Sequence, residues 1–332
     1  MTKSRSMLWL RYLFFLMSFS VVSAQGALSG PSLGYFFDPH ERALRRIWGI
    51  PGSAIAGENL DLGFPAAQAI FSPNQDYALV VAGDGSVNLV VPGPTGLTAQ
   101  LVPALPPAPD KITVGPAGHA AAFTYGTSVK ILTGLPRSLD RLEEIDTSAL
   151  PGAPTTFAIS DDGAILLVSV PDNAQTTSAG GVFMFSRGDS GPRLLAAKAA
   201  SDLSFFPESH DALIADDAAN SVTALQDIAG SATSQWTFVD DRLPAPRSAR
   251  ATLDGQRIIV SSAENNLAAL LDRNGMNPVF VPCACSPNRA GPLSNLVYQL
   301  TDPGSGLLWI LDLSKNPRLY FVPVPPLSGE SQ

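Results

Sequence analysis

The sequence predicts an all-β fold, a β-propeller of four-stranded blades, and three observations carry that expectation. Charged residues make up only 15% of the 332 positions, while 28 glycines and 29 prolines punctuate the chain. Solvent-facing helices use far more Lys and Glu, whereas short strands joined by tight turns need Gly and Pro. A strand–turn–strand unit recurs with a period of about 45 residues, and a third strand follows each unit at a nearly constant offset. With 45% hydrophobic residues the chain has the means to bury a sizeable core.

The N-terminal residues read as a targeting segment. Lys3, Arg5 and Arg11 form a basic region, an uncharged run extends from Tyr12 to Ala24, and Val22-Ser23-Ala24 offers small residues for cleavage before Gln25. That run is shorter than the ~20 residues a membrane span needs. A cleaved signal peptide at 1–24 is therefore expected, with an uncleaved anchor as the alternative; no cysteine stands at the cut to carry a lipid. Loss of the three basic residues takes the net charge from −8 to −11. An acidic exported chain, periplasmic or secreted, is a poor partner for nucleic acid or anionic lipid. One propeller domain is expected over 25–326, with a short tail at 327–332.

After this segment, Tyr35 to Asp38 and Ala43 to Trp48 read as the outer two strands of an incomplete unit. Five strand–turn–strand units follow: Ala69 to Val81, Ile112 to Phe123, Phe157 to Val168, Leu203 to Ile214 and Ala251 to Val260. Their turns are rich in Pro, Asp and Gly, as in Ser72-Pro73-Asn74-Gln75-Asp76 and Ser160-Asp161-Asp162-Gly163. Anchored on Pro73, Pro116, Asp161, Pro207 and Leu253, they step by 43, 45, 46 and 46 residues, a period that suits a propeller blade. Third strands open at Val87, Val129, Val222 and Leu267, 13 to 15 residues after the anchors. The third unit breaks this spacing, with Val182 lying 21 residues after Asp161, so an insertion is expected between Pro171 and Gly181. Fourth strands are fainter, at Ala99 to Val102, Trp236 to Val239 and Pro278 to Pro282. Leu296 to Leu300, Leu307 to Asp312 and Leu319 to Val322 supply three more strands at the other end.

A last blade built from strands of both termini would close the ring without a long exposed edge. Residues 33–324 divided by the period give about six and a half units. Six blades are favoured, and seven is the alternative if Ala284-Cys285-Ser286-Pro287 is the inner strand of a separate, compressed unit.

The repeated strand, Ser-Pro-Asp-Gly-like turn and strand resembles the bacterial exported β-propellers of the YVTN and WD-repeat-like group, and more broadly the lactonase propellers. The likeness covers nearly the whole mature chain, but it is carried by core and turn residues. It implies a fold that hosts unrelated functions.

Enzyme signatures fare poorly. Of the three histidines, His119 and His210 fall in turns of the repeat and His40 in a polar turn, Asp38-Pro39-His40-Glu41-Arg42. Gly188-Asp189-Ser190-Gly191-Pro192 has the spelling of a protease nucleophile loop but lacks its second glycine and any matching histidine. Gly30-Pro31-Ser32-Leu33-Gly34 fits Gly-x-Ser-x-Gly without the strand and helix of a nucleophile elbow. Arg187-Gly188-Asp189 spells an adhesion tripeptide in what reads as an ordinary turn. No catalytic set, metal site or cofactor is expected.

Cys283 and Cys285, the two cysteines, are two residues apart. On an extended strand their Cα atoms would lie near the ~6.8 Å upper limit for a disulfide, so a bent local disulfide and a thiol pair both stay open. The sparse charges gather in the links between blades, where propeller ligands often bind. Glu58, Asp202, Arg247 and Arg250 are the candidate ligand-binding residues, Asp202 and Arg247 foremost because each precedes an inner strand. The expectation is a monomeric, non-catalytic exported propeller that binds a protein or small ligand through one loop face. The alternative is a lactonase-like hydrolase with acid, base and cation converging at the channel mouth; a calcium-stabilised propeller is a third reading.

Overall fold

The structure, a computed structural model, describes residues 30–325 except 94, 95, 140, 173–178, 190 and 304–306. The expected signal peptide, the C-terminal tail and most of the insertion after Pro171 lie outside the described residues. Among these residues there are strands and turns but no α-helix. Seven antiparallel sheets follow one another along the chain.

Blade one holds three strands: β1 (Ser32–Asp38), β2 (Ala43–Trp48) and β3 (Ile55–Leu60). Blade two holds β4 (Ala66–Phe71), β5 (Ala78–Ala82), β6 (Val87–Gly93) and β7 (Gly96–Leu101). Blade three holds β8 (Lys111–Val114), β9 (Ala120–Tyr125), β10 (Ser128–Thr133) and β11 (Leu142–Asp146). Blade four holds β12 (Thr156–Ile159), β13 (Ile165–Val170), β14 (Gly181–Ser186) and β15 (Arg193–Ala196). Blade five holds β16 (Asp202–Phe205), β17 (Ala212–Asp216), β18 (Ser221–Gln226) and β19 (Thr233–Val239). Blade six holds β20 (Pro246–Ala251), β21 (Arg257–Ser262), β22 (Leu267–Asp272) and β23 (Val279–Pro282). Blade seven holds β24 (Gly291–Ser294), β25 (Val297–Gln299), β26 (Leu308–Asp312) and β27 (Arg318–Val322).

In blades two, four and six the repeated turn works through one hydroxyl. Ser72 Oγ accepts from Tyr77 N (3.2 Å) and donates to Asp76 (2.6 Å). Ser160 does the same for Ile165 N and Asp162, and Thr252 for Arg257 N and Asp254. Each closes a hairpin while satisfying a backbone donor locally. Gly163 and Gly255 take left-handed φ values of 68° and 66° in these turns, a region in which a Cβ is strained.

Alternation then places apolar side chains on both faces of each sheet, and the neighbouring blades bury them. Seven apolar clusters result, one at every junction. Blades two and three share Leu79, Leu89, Phe123 and Leu132, and blades four and five share Leu167, Met184, Leu203 and Phe205. The last junction, between blades seven and one, is made by Phe36, Ile47, Leu293, Leu308, Ile310 and Val322.

The favoured count of six blades is therefore corrected to seven, and so is the mode of closure. No sheet among the described residues combines strands from both ends; β24–β27 form their own sheet and β1–β3 theirs. The two ends meet by packing, by a bond from Ala56 N to Pro323 O (2.9 Å) and by one from Arg45 Nη2 to Pro325 O (3.3 Å). The inner strand of blade seven is β24, so Ala284 to Pro287 belong to the preceding link.

Blade one is also reversed. In blades two to seven the first strand runs from the link face to the face carrying its first hairpin. The β1–β2 turn instead lies on the link face, where Ala66 N, at the start of β4, donates to Arg42 O (3.0 Å). The opposite end of β1 reaches the first hairpin of blade two, with Tyr35 N donating to Gln75 Oε1 (2.7 Å). In direction, β1, β2 and β3 thus match second, third and fourth strands, and no strand occupies the channel side of β1 among the described residues. Tyr35 to Asp38 and Ala43 to Trp48, read from sequence as the outer two strands, are the inner two of this blade.

Arg45 ties the reversed blade together. Its side chain is 2% exposed and pairs with Asp38 at 2.9 Å, while Nε donates to Gly57 O. Arg45→Ala is expected to lower the unfolding free energy by about 3–5 kcal/mol, because the buried Asp38 carboxylate loses its cation and keeps only the backbone donors of His40 and Glu41. Arg45→Lys is expected to recover only part of this, since a point charge lacks the guanidinium fork; urea denaturation of the three proteins measures both effects.

Candidate functional site

The first strands of the blades surround a central channel. A cavity of about 250 Å³ is lined by β4, β8, β12, β16, β20 and residues 288–292. A larger one, about 520 Å³, adjoins it on the channel side of β1, between β4 and the start of β24. It occupies the channel side of blade one, where no fourth strand lies among the described residues.

Of the four candidate residues, three line the smaller cavity. Asp202 opens β16 and is 7% exposed. Its carboxylate accepts from Leu203 N (3.0 Å), Ser248 Oγ (3.0 Å), Ala249 N (3.2 Å) and Arg250 Nη2 (2.8 Å). Ser204 Oγ adds a bond to Ala249 O, and Ser201 Oγ one to Pro246 O, so β16 and β20 are stitched together along their length. Arg250 follows from the register of β20. A bulge between Pro246 and Ser248 re-aims the strand, and Arg247, on the cavity wall, pairs with Asp217 at 3.3 Å. Glu58 lies apart: it is exposed on β3, the outermost strand of blade one, and lines neither cavity. Sequence reading placed it in a link because β3, IAGENL, is largely polar and solvent-exposed and carries no apolar strand pattern.

Three residues that sequence reasoning passed over meet at the larger cavity. His40, in the reversed β1–β2 turn, lines it, as do Gln75 and Arg289. Gln75 bridges blades one and seven across the channel: Oε1 accepts from Tyr35 N and Nε2 donates to Pro292 O (3.0 Å). It does so from a left-handed backbone, φ 59°, where Gly163 and Gly255 stand in other repeats. Arg289 is ringed by protein yet reached by water through the channel. Burial pushes its guanidinium below the usual arginine range; Asp302 and Asp202 oppose this shift and Arg250 adds to it. No hydrogen bond or ion pair to that guanidinium occurs among the described residues. Nothing in the sequence singled out Arg289; in the structure a Cβ added at Gly291 would lie 3.2 Å from Arg289 Nη2.

The remaining histidines stay on the opposite face, His119 exposed and His210 Nε2 3.1 Å from Asp162 of the neighbouring blade. Cys283 and Cys285 form a disulfide, with Cα atoms 5.0 Å apart. They sit in the link between β23 and β24 rather than on a strand, and the bent link brings them within bonding range. Among the described residues no group of three or more His, Cys, Asp and Glu side chains is arranged to hold a metal ion.

No family model matches the chain, and no curated protein does so. Among solved structures, a functionally unknown protein from Desulfotomaculum acetoxidans DSM 771 is similar, with a TM-score of 0.58 and 11% identity over 88% of this chain and 100% of that one. At that identity the likeness speaks for the fold alone.

Two expectations follow from this geometry. Gln75→Ala is expected to cost about 2 kcal/mol of stability by removing both bridging bonds, and Gln75→Gly less, because glycine accepts the left-handed backbone; chemical denaturation measures the order. Alkylation of the unfolded, unreduced protein is expected to add no label, and alkylation after reduction to add two, as read by intact mass.

Proposed function

We propose that the chain is a non-catalytic exported propeller that binds a negatively charged partner, a small ligand or a protein segment, at the link-face mouth of its channel. One observation carries this reading: the four donors locking Asp202 leave its carboxylate no role as a general base, while Arg250 and Arg289 put guanidinium groups on the cavity wall. A hydrolase needs an acid or base free to move a proton at the reacting atom; a binding site needs placed charge and shape. The resemblance to exported propellers and the N-terminal targeting pattern support the export part of the reading.

A thermal-shift screen of small anions tests it. At least one ligand is expected to raise the melting temperature of the protein, and the gain to disappear in an Arg247→Ala/Arg250→Ala double variant. Stabilisation that survives both changes overturns the placement of the site. Turnover of a lactone panel, lost in the same variant, overturns the non-catalytic reading.

A further inference from the structure

We propose that the larger cavity, in the gap beside β1, is a binding pocket for an amphipathic carboxylate: a flat apolar body held against β1 and β4, with its carboxylate on Arg289. The proposal rests on the ligand-binding reading of the channel and names the chemistry of the ligand.

Three features converge there. The first is space. About 520 Å³ falls within the ~300–1,000 Å³ of small-ligand sites. The space exists because β1 runs against the other first strands and no described residue fills its channel side. The second is the wall. Tyr35 and Phe71 stack with ring centroids 6.1 Å apart and planes within 10°, and Phe37, Ile70 and Pro292 continue the lining. Phe37 and Phe71 are only half-buried, so apolar surface stays open to an occupant. The third is charge. Around the channel Arg250 is matched with Asp202 and Arg247 with Asp217, whereas the Arg289 guanidinium makes no hydrogen bond or ion pair among the described residues, and Asp302, on the same cavity wall, is its leading opposite charge. A carboxylate takes a guanidinium fork through two parallel bonds, and partial desolvation strengthens the pair. By strand alternation the Phe37 N–H points the same way as that of Tyr35, into the gap, and offers a further donor. A ligand that was all charge would leave the aromatic wall unused; one that was all apolar would leave Arg289 unmatched.

Calorimetric titration of 3-phenylpropionate into the purified protein tests this. Saturable one-to-one binding is expected, with 3-phenylpropionamide and inorganic phosphate each at least tenfold weaker. Arg289→Gln is expected to weaken 3-phenylpropionate binding at least tenfold with little change in the melting temperature of the free protein, because that guanidinium makes no hydrogen bond or ion pair among the described residues. Gly291→Ala, whose new methyl meets the flexible end of Arg289, is expected to weaken it as well. Equal binding of the amide, or wild-type affinity in Arg289→Gln, overturns the role of Arg289. Phosphate binding as tightly as the aryl acid overturns the carboxylate class. If 3-phenylpropionate fails to bind while other anions still stabilise the protein in an Arg250-dependent way, the pocket proposal falls and the channel reading stands. If no anion binds, both fall.

Discussion

Each sheet of this protein has two apolar faces and cannot be stable alone; burying both faces against neighbours is the constraint from which the rest follows. A sheet with one neighbour leaves one face wet, so a row of such sheets is relieved only by curving until its ends meet. The seven apolar clusters, one per junction, are that constraint satisfied. It explains the low charge content, because residues between blades cannot carry ions cheaply. It also leaves the edges of the first strands around a central space, and so places any ligand site at the channel rather than between blades.

The blade pattern was legible wherever the chain writes its turns with a Ser or Thr followed by Pro, Asp and Gly, because that chemistry is local. Blades two, four and six announced themselves in this way, and blades three and five by Pro116 and Pro207 at the same place in the period. Blade seven did not: its first two strands are four and three residues long, and the turn between them, Asn295-Leu296, carries none of those signals. Blade one misled for another reason. Its strands were visible, but their direction depends on which hairpin sits on which face, and that is decided by contacts with blade two through Arg42 and Gln75 rather than by any neighbouring residue.

The site divides along the same line. Asp202 and Arg250 could be found from sequence because both sit at the start of a repeat unit, where position in the period tells position in the ring. Arg289, His40 and Gln75 are brought together from three distant stretches by ring closure and by the irregular blade, and periodicity says nothing about an irregularity. The charge that pairing leaves over is at the place the repeat failed to describe. Asp202, the strongest candidate from sequence, turns out to be an anchor for β20, with its oxygens committed to backbone and side-chain donors; its burial marks a structural duty.

Six of the junctions between blades are crossed by the polypeptide itself. The seventh, between β24–β27 and β1–β3, is held by side-chain packing, by Pro323 and Pro325 against blade one, and by Gln75 reaching over from blade two. Mechanically the molecule is a split collar, and the bore of a split collar is set at its slit. The larger cavity lies beside that slit. An occupant there would act as a wedge or a rivet on the one joint the chain does not sew, so that the width of the whole channel becomes answerable to what fills a single gap.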